Sequence, residues 1–182
     1  MSETKPSVAH PDFWERMITV NTGESLAEMS DSQPVMLVFL RFFGCSFCRE
    51  AISDISKQRK KLAGKGVRVV FVHMAPDPDT AENFFKKYKL FPVDHIADPE
   101  KVFYRAFGLS RGTPRQIFGL MNWIRGFQAV VLEGHGNANP SEELGDGFQM
   151  PGVFLVHQGK IKSQFIHKFP YDRPDYEEIC QI

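Results

Sequence analysis

Three things are scarce in this 182-residue chain: cysteine, net charge and unbroken apolar sequence. Three Cys residues are too few for a disulfide scaffold. They point to a reducing, cytoplasmic setting, in which a close Cys pair is catalytic or metal-binding rather than structural. Lys plus Arg and Asp plus Glu both number 22, so there is no electrostatic reason to expect nucleic acid or an anionic membrane as a partner. No stretch reaches the roughly 18 apolar residues of a membrane span. The nearest, Ile117 to Leu132, is interrupted by Asn122, Arg125 and Gln128. Met1 to Pro11 is polar and lacks the apolar run of a secretory signal. The expected organisation is a flexible segment over 1–12 and one domain over 13–182.

What is present is an aromatic-rich globular composition, with 17 Phe, 42% hydrophobic and 24% charged residues. Val35 to Phe42 is a nearly continuous apolar run of β-formers, the pattern of a strand buried on both faces. From Cys48 the period changes. Cys48, Ala51, Ile52, Ile55 and Leu62 share a helix face, basic residues crowd its end, and Gly64 and Gly66 stop it. A second buried strand, Val67 to His73, completes a βαβ unit.

Asp79 with Glu82 reads as a capping box for a helix carrying Ala81, Phe84, Phe85 and Tyr88. Asp94 to Ala97 reads as a short strand, and Asp98-Pro99 as the cap and first residue of the next helix. Thr113-Pro114 opens another helix, with a stripe of Ile117, Leu120, Met121, Ile124 and Val131. Gly134 to Gly147 is loop-like. A hairpin follows, Gly152 to His157 and Lys160 to Phe165 with its turn at Gln158-Gly159, and Asp172 to Ile179 forms a closing helix. Parallel strands first and a hairpin last imply an α/β mixed central sheet flanked by helices, with a helical insertion before the hairpin.

The chemistry is expected at Cys45-Ser46-Phe47-Cys48, where a buried strand gives way to a helix. Thiolate is the reactive form, and a free Cys titrates near ~8.5. The first turn of a helix presents unpaired N–H groups and partial positive charge, which stabilise an anion there. Cys45 is therefore expected exposed and activated ahead of the turn, with Cys48 pointing to the core within disulfide reach. Arg41 and Arg49 flank the pair and bring positive charge, although Arg49 also reads as an ordinary solvated helix residue. Two inert buried cysteines, or half of a zinc site, are the competing readings. Zinc lacks a second Cys pair, and the His residues show no metal-ligand spacing and read as surface or edge-strand residues. Cys180 reads as a lone Cys on the terminal helix, with a second resolving thiol as its alternative.

Phe39-Leu40-Arg41-Phe42-Phe43-Gly44-Cys45-Ser46-Phe47-Cys48-Arg49-Glu50 resembles the signature of peroxiredoxin-like proteins of the alkyl hydroperoxide reductase/thiol-specific antioxidant superfamily. The branch is that of the selenoprotein L-like and prostamide synthase-like proteins. Ala97-Asp98-Pro99, Tyr104 to Leu109, Gln149 to Phe154 and Asp172 to Tyr176 extend the resemblance over most of the chain after about residue 33. It implies a thioredoxin-like fold and an antioxidant oxidoreductase, with Cys45 as attacking and Cys48 as resolving thiol. In such folds a cis proline packs against the Cys pair, and the residue before it offers backbone groups to substrate; Pro151 and Met150 match those positions.

No bound cofactor is implied, only an external thiol reductant of the thioredoxin or glutathione type. The implied substrate is a small-molecule or protein disulfide or a peroxide, and a homodimer is left open. One departure stands out. The peroxiredoxin motif Pro-x-x-x-Thr-x-x-Cys has Phe42 and Val38 in place of its Thr and Pro, so disulfide exchange stands beside peroxide reduction. A non-catalytic thioredoxin-fold module, using Ile117 to Phe127 as a partner surface, is the alternative function.

Overall fold

A computed structural model describes residues 11–119 and 146–181. The segment 1–10, the stripe from Leu120 to Val131 and most of the expected loop fall outside the described residues. So does nearly all of the Ile117–Phe127 surface.

The sheet has five strands in the order β3-β2-β1-β4-β5. These are β1 Val35–Phe39, β2 Arg68–His73, β3 Asp94–Ala97, β4 Gly152–His157 and β5 Lys160–Ile166. β1 pairs with β2 and β2 with β3 in parallel, whereas β4 runs antiparallel to both β1 and β5. β1 is central and buried at every position, which is why its sequence reads as a continuous apolar run rather than an alternation. Val38 stands opposite Phe71 on one side and Val153 on the other.

Successive side chains of β1 serve opposite faces. Met36 and Val38 pack with Phe71, Ile52, Ile55 and Phe85 in one core. Leu37 and Phe39 pack with Val70, Val72, Tyr104 and Phe107 in the other. The turn between β4 and β5 places Gln158 and Gly159 at φ 50° and 68°, the left-handed pair that a two-residue hairpin turn requires.

The helices are α1 Pro11–Glu15, α2 Leu26–Ser32, α3 Ser46–Gly64, α4 Pro78–Lys87, α5 Val102–Ala106, α6 Pro114–Phe118 and α7 Tyr176–Ile179. The sequence reading places no element before Val35, yet α2 is closed by a capping box. Ser25 Oγ accepts from Glu28 N at 3.2 Å while Glu28 Oε2 accepts from Ser25 N at 2.8 Å. The expected box at Asp79 is displaced: Asp77 is the cap of α4 and Pro78 opens it, because proline fits the first helical position. Asp98 does not sit directly before its helix either. Its carboxylate reaches over a turn to accept the N–H groups of Val102, Phe103 and Tyr104 at 2.7–3.2 Å. α6 begins at Thr113-Pro114 as expected, with Gln116 completing its box.

His73 and His95 correct a further expectation, being buried rather than at the surface. His95 does lie on the edge strand β3, but Phe85 of α4 covers its ring at 5.5 Å and Phe43 lies 5.4 Å from His73. The two imidazoles share one hydrogen bond, His73 Nε2 to His95 Nδ1 at 2.9 Å. Burial, with the charge of His95 adding to it, pushes His73 down to about 3, and burial also lowers His95.

A folded-state value below the unfolded one means that the unfolded chain binds more protons. The stability these histidines allow is therefore complete above about 6.5, the ordinary histidine value, and is lost as pH falls below it. Urea unfolding followed by circular dichroism should show stability dropping between pH 6.5 and 4.5, by up to about 1.4 kcal/mol per pH unit from His73, with His95 acting in the same direction. His73→Phe should flatten that dependence, and an equally steep acid limb in the variant would rule His73 out as its source.

Candidate active site

β1 ends at Phe39, but Leu40 still donates its N–H to Val72 O at 2.9 Å. The buried Tyr104 hydroxyl donates to the carbonyls of both Leu40 and Val72. This clamp from α5 holds the chain where it leaves the sheet. A tight turn then closes, with Cys45 N donating to Phe42 O at 3.1 Å. Cys45 becomes the N-cap of α3 in extended conformation, and its carbonyl accepts from Arg49 N at 3.1 Å.

Cys45 and Cys48 are both free thiols. Cys45 is expected exposed but is buried, at 7% exposure, with the Arg41 guanidinium against its sulfur. Arg41 Nη1 donates to Cys45 Sγ at 3.2 Å, Nε donates to Gln149 O at 3.1 Å, and Nη2 donates to Gly147 O. The backbone N–H of Arg41 also reaches Cys48 Sγ at 3.2 Å. Arg41 thus touches both sulfurs, one with its side chain and one with its backbone.

These contacts separate the two thiols. Cys45 falls to about 6. The Cys48 thiol beside it lowers it most, and the Arg41 charge and the N–H groups of Cys48 and Phe47 add to this, overcoming burial. Cys48 rises well above its ordinary value, first through burial and then through its hydrogen bond to Cys45 and the Cys45 charge. The opposite shifts favour the thiolate at Cys45 and the thiol at Cys48.

Arg49 is neither solvated nor directed at the sulfurs. It is buried, donates Nε to Phe43 O at 2.9 Å and lies over the Phe84 ring at 5.1 Å. The Met150–Pro151 bond is trans; the cis bond among the described residues is Phe91–Pro92. Pro151 lines the same cavity as Cys48, a space of about 30 Å³ with room for about one water.

The backbone of Met150 is already engaged. Its N–H donates to Ser110 O at 3.1 Å and its carbonyl accepts from Gln149 Nε2 at 3.2 Å. Cys180 is buried against Met36 Sδ at 3.6 Å, and burial pushes it up to about 11.

Several residues around the pair carry no spacing signal in the sequence. Gly147 and Gln149 meet Arg41 through their backbone carbonyls. Asp146 anchors their loop through Lys101 at 2.7 Å and Arg111 at 3.0 Å. Glu50, the next residue after Arg49, is buried and pairs with Arg173 at 2.6 Å on the far side of the small cavity.

The profile of a family described as AhpC/TSA antioxidant enzyme matches residues 54–169, a span that opens on α3 beyond Cys48. Prostamide/prostaglandin F synthase of Salmo salar is 30% identical over 166 residues, covering 88% of this chain and 80% of that protein. The protein of the same name from Danio rerio is 29% identical over 169 residues, with the same coverage. Among solved structures, reduced Prx3 of Vibrio vulnificus in complex with hydrogen peroxide superposes with a TM-score of 0.60 at 14% identity. That match covers 90% of this chain and 92% of the other. The fold is therefore the thioredoxin-like fold of peroxiredoxins.

The environment of Cys45 makes a measurable demand. Ultraviolet thiolate absorbance should titrate with a midpoint near 6 for Cys45. Arg41→Gln should move that midpoint up by roughly one unit. An unchanged midpoint would remove Arg41 as a stabiliser of the anion.

Proposed function

The chain belongs to the AhpC/TSA antioxidant enzyme family, and on that footing we propose that it is a thiol–disulfide oxidoreductase cycling Cys45 and Cys48 between dithiol and disulfide. The observation that carries this reading is the asymmetry of the pair. One thiol, at a helix start, is shifted toward its anion by the neighbouring Cys48 thiol and a buried guanidinium, and its partner one turn on is shifted toward the protonated form by burial. Nucleophile and resolver need those two states.

In the proposed cycle the Cys45 thiolate attacks one sulfur of a substrate disulfide and expels the other as a thiolate. Cys48 then loses its proton and attacks Cys45 Sγ. The second substrate thiol leaves and the Cys45–Cys48 disulfide closes. Two electrons have passed to the substrate, and an external thiol reductant of the thioredoxin or glutathione type returns them. Pro151 lines the cavity on the Cys48 side of the pair, while Arg49 braces the turn before Cys45 through the Phe43 carbonyl.

Peroxide reduction is the second reading, favoured by family membership and by Arg41, whose N–H groups suit a developing oxygen anion. The Cys45 thiolate would then attack the peroxide, the O–O bond would break with loss of an alcohol or water, and Cys48 would condense with the resulting sulfenic acid and release water. Position 42 offers the ring of Phe42 instead of a hydroxyl, with the Arg41 guanidinium 5.6 Å from its centre, so the disulfide comes first. The names of the relatives add a prostanoid lipid to the substrates worth testing. A reducing compartment such as the cytoplasm suits a resting dithiol.

Thiol counting should find two fewer thiols in the oxidised protein than in the dithiothreitol-treated one. Cys45→Ser should abolish reductase activity, and Cys48→Ser should trap a mixed disulfide on Cys45. NADPH consumption through thioredoxin or glutathione, with a model disulfide, hydrogen peroxide and an alkyl hydroperoxide side by side, ranks the substrates. Equal thiol counts together with a fully active Cys45→Ser would leave a binding module in place of an enzyme.

A further inference from the structure

The charge balance around Arg41 differs between the two ends of the proposed cycle. Arg41 is 5% exposed, and it makes four hydrogen bonds. Three run from its guanidinium, to Cys45 Sγ and to the carbonyls of Gln149 and Gly147, and one runs from its backbone to Cys48 Sγ. No carboxylate of the described residues pairs with it. Asp146, next to Gly147, is held by Lys101 and Arg111. Among the described residues, the group that faces this buried cation as a possible anion is the Cys45 sulfur.

Closing a Cys45–Cys48 disulfide removes that charge and draws Cys45 Sγ toward Cys48, while the carbonyls of Gly147 and Gln149 still hold the guanidinium in place. Leaving a buried cation without an anion is costly. The vacated position keeps the donors that faced the sulfur, Arg41 Nη1 and the N–H groups of the first turn of α3.

We propose that the disulfide form binds a small carboxylate at Arg41, in the place the Cys45 thiolate occupies in the dithiol form. The inference rests on the dithiol/disulfide cycle above. The ligand class follows from the donors, since a guanidinium edge and backbone N–H groups match one carboxylate oxygen each. A thiol reductant that carries carboxylates, as glutathione does, would meet this site only when the enzyme is oxidised and in need of it. Reduction regenerates the thiolate and expels the carboxylate, so recognition and release are set by the same two electrons.

Linkage makes this testable with formate as the probe. The Cys45–Cys48 equilibrium is measured against a dithiothreitol redox buffer, which carries no carboxylate, at constant ionic strength. Above the formate dissociation constant, each tenfold rise in formate should raise the disulfide-to-dithiol ratio tenfold, a fall of about 30 mV in reduction potential. Formate should also raise the melting temperature of the oxidised wild type and leave the reduced form unmoved.

Arg41→Gln should abolish both responses, and Arg41→Lys, which keeps the charge, should retain part of them. Far-ultraviolet circular dichroism establishes that each variant is folded, and the oxidised wild type gives the melting result without any variant. A ratio and melting temperature indifferent to formate, or a response equal in wild type and Arg41→Gln, overturns the proposal while leaving the cycle intact. Failure of the disulfide to form at all overturns the cycle itself.

Discussion

The guanidinium of Arg41 lies buried between the two halves of the chain. It joins the turn after β1 to the backbone that leads into β4. A buried cation is tolerable only with charge and hydrogen bonds arranged around it, and this one has a thiolate on one side and two carbonyls on the other. Those partners come from residues about a hundred positions apart, so the site exists only when the sheet has brought β1 and β4 together. Arg41 adds to the lowering of Cys45 that begins with the Cys48 thiol, and it ties the backbone of Gly147 and Gln149 to the turn after β1.

The same two atoms of sulfur behave differently because a helix turn gives them different surroundings. Cys45, at the cap, meets N–H groups that have no partner within the helix. Cys48, inside the helix, meets the core, with Ile52 and Ile55 on its face and β1 beneath. The fold supports this division from a distance. Asp98 caps α5, α5 sets Tyr104, and the Tyr104 hydroxyl fastens the carbonyl of Leu40 just before Arg41. Membership of a redox family and the asymmetry of the pair therefore point the same way, although the family match itself begins beyond Cys48.

Much of the architecture was legible in the residues. The apolar runs over Val35–Phe39 and Arg68–His73, the short strand Asp94–Ala97 and the hairpin around Gln158-Gly159 all declared themselves through period and turn chemistry. Boundaries were less legible. Pro78 displaced a cap by two residues, and Asp98 capped its helix from across a turn. The N-terminal helix α2 carried its signal in Ser25 and Glu28, but its seven residues are too few for a periodic stripe to stand out.

The Cys pair at a strand-to-helix junction was determined by sequence alone, because spacing and local period are properties of neighbouring residues. The state of the pair was decided by tertiary structure. Whether Cys45 is open or covered, which of Arg41 and Arg49 turns toward it, and where the backbone of Met150 donates all depend on long-range packing. His73 and His95 carry the same lesson, since only the docking of α4 over the sheet buries them. Local chemistry is written in short segments of chain, whereas burial and charge partnership are set by segments that meet only after folding.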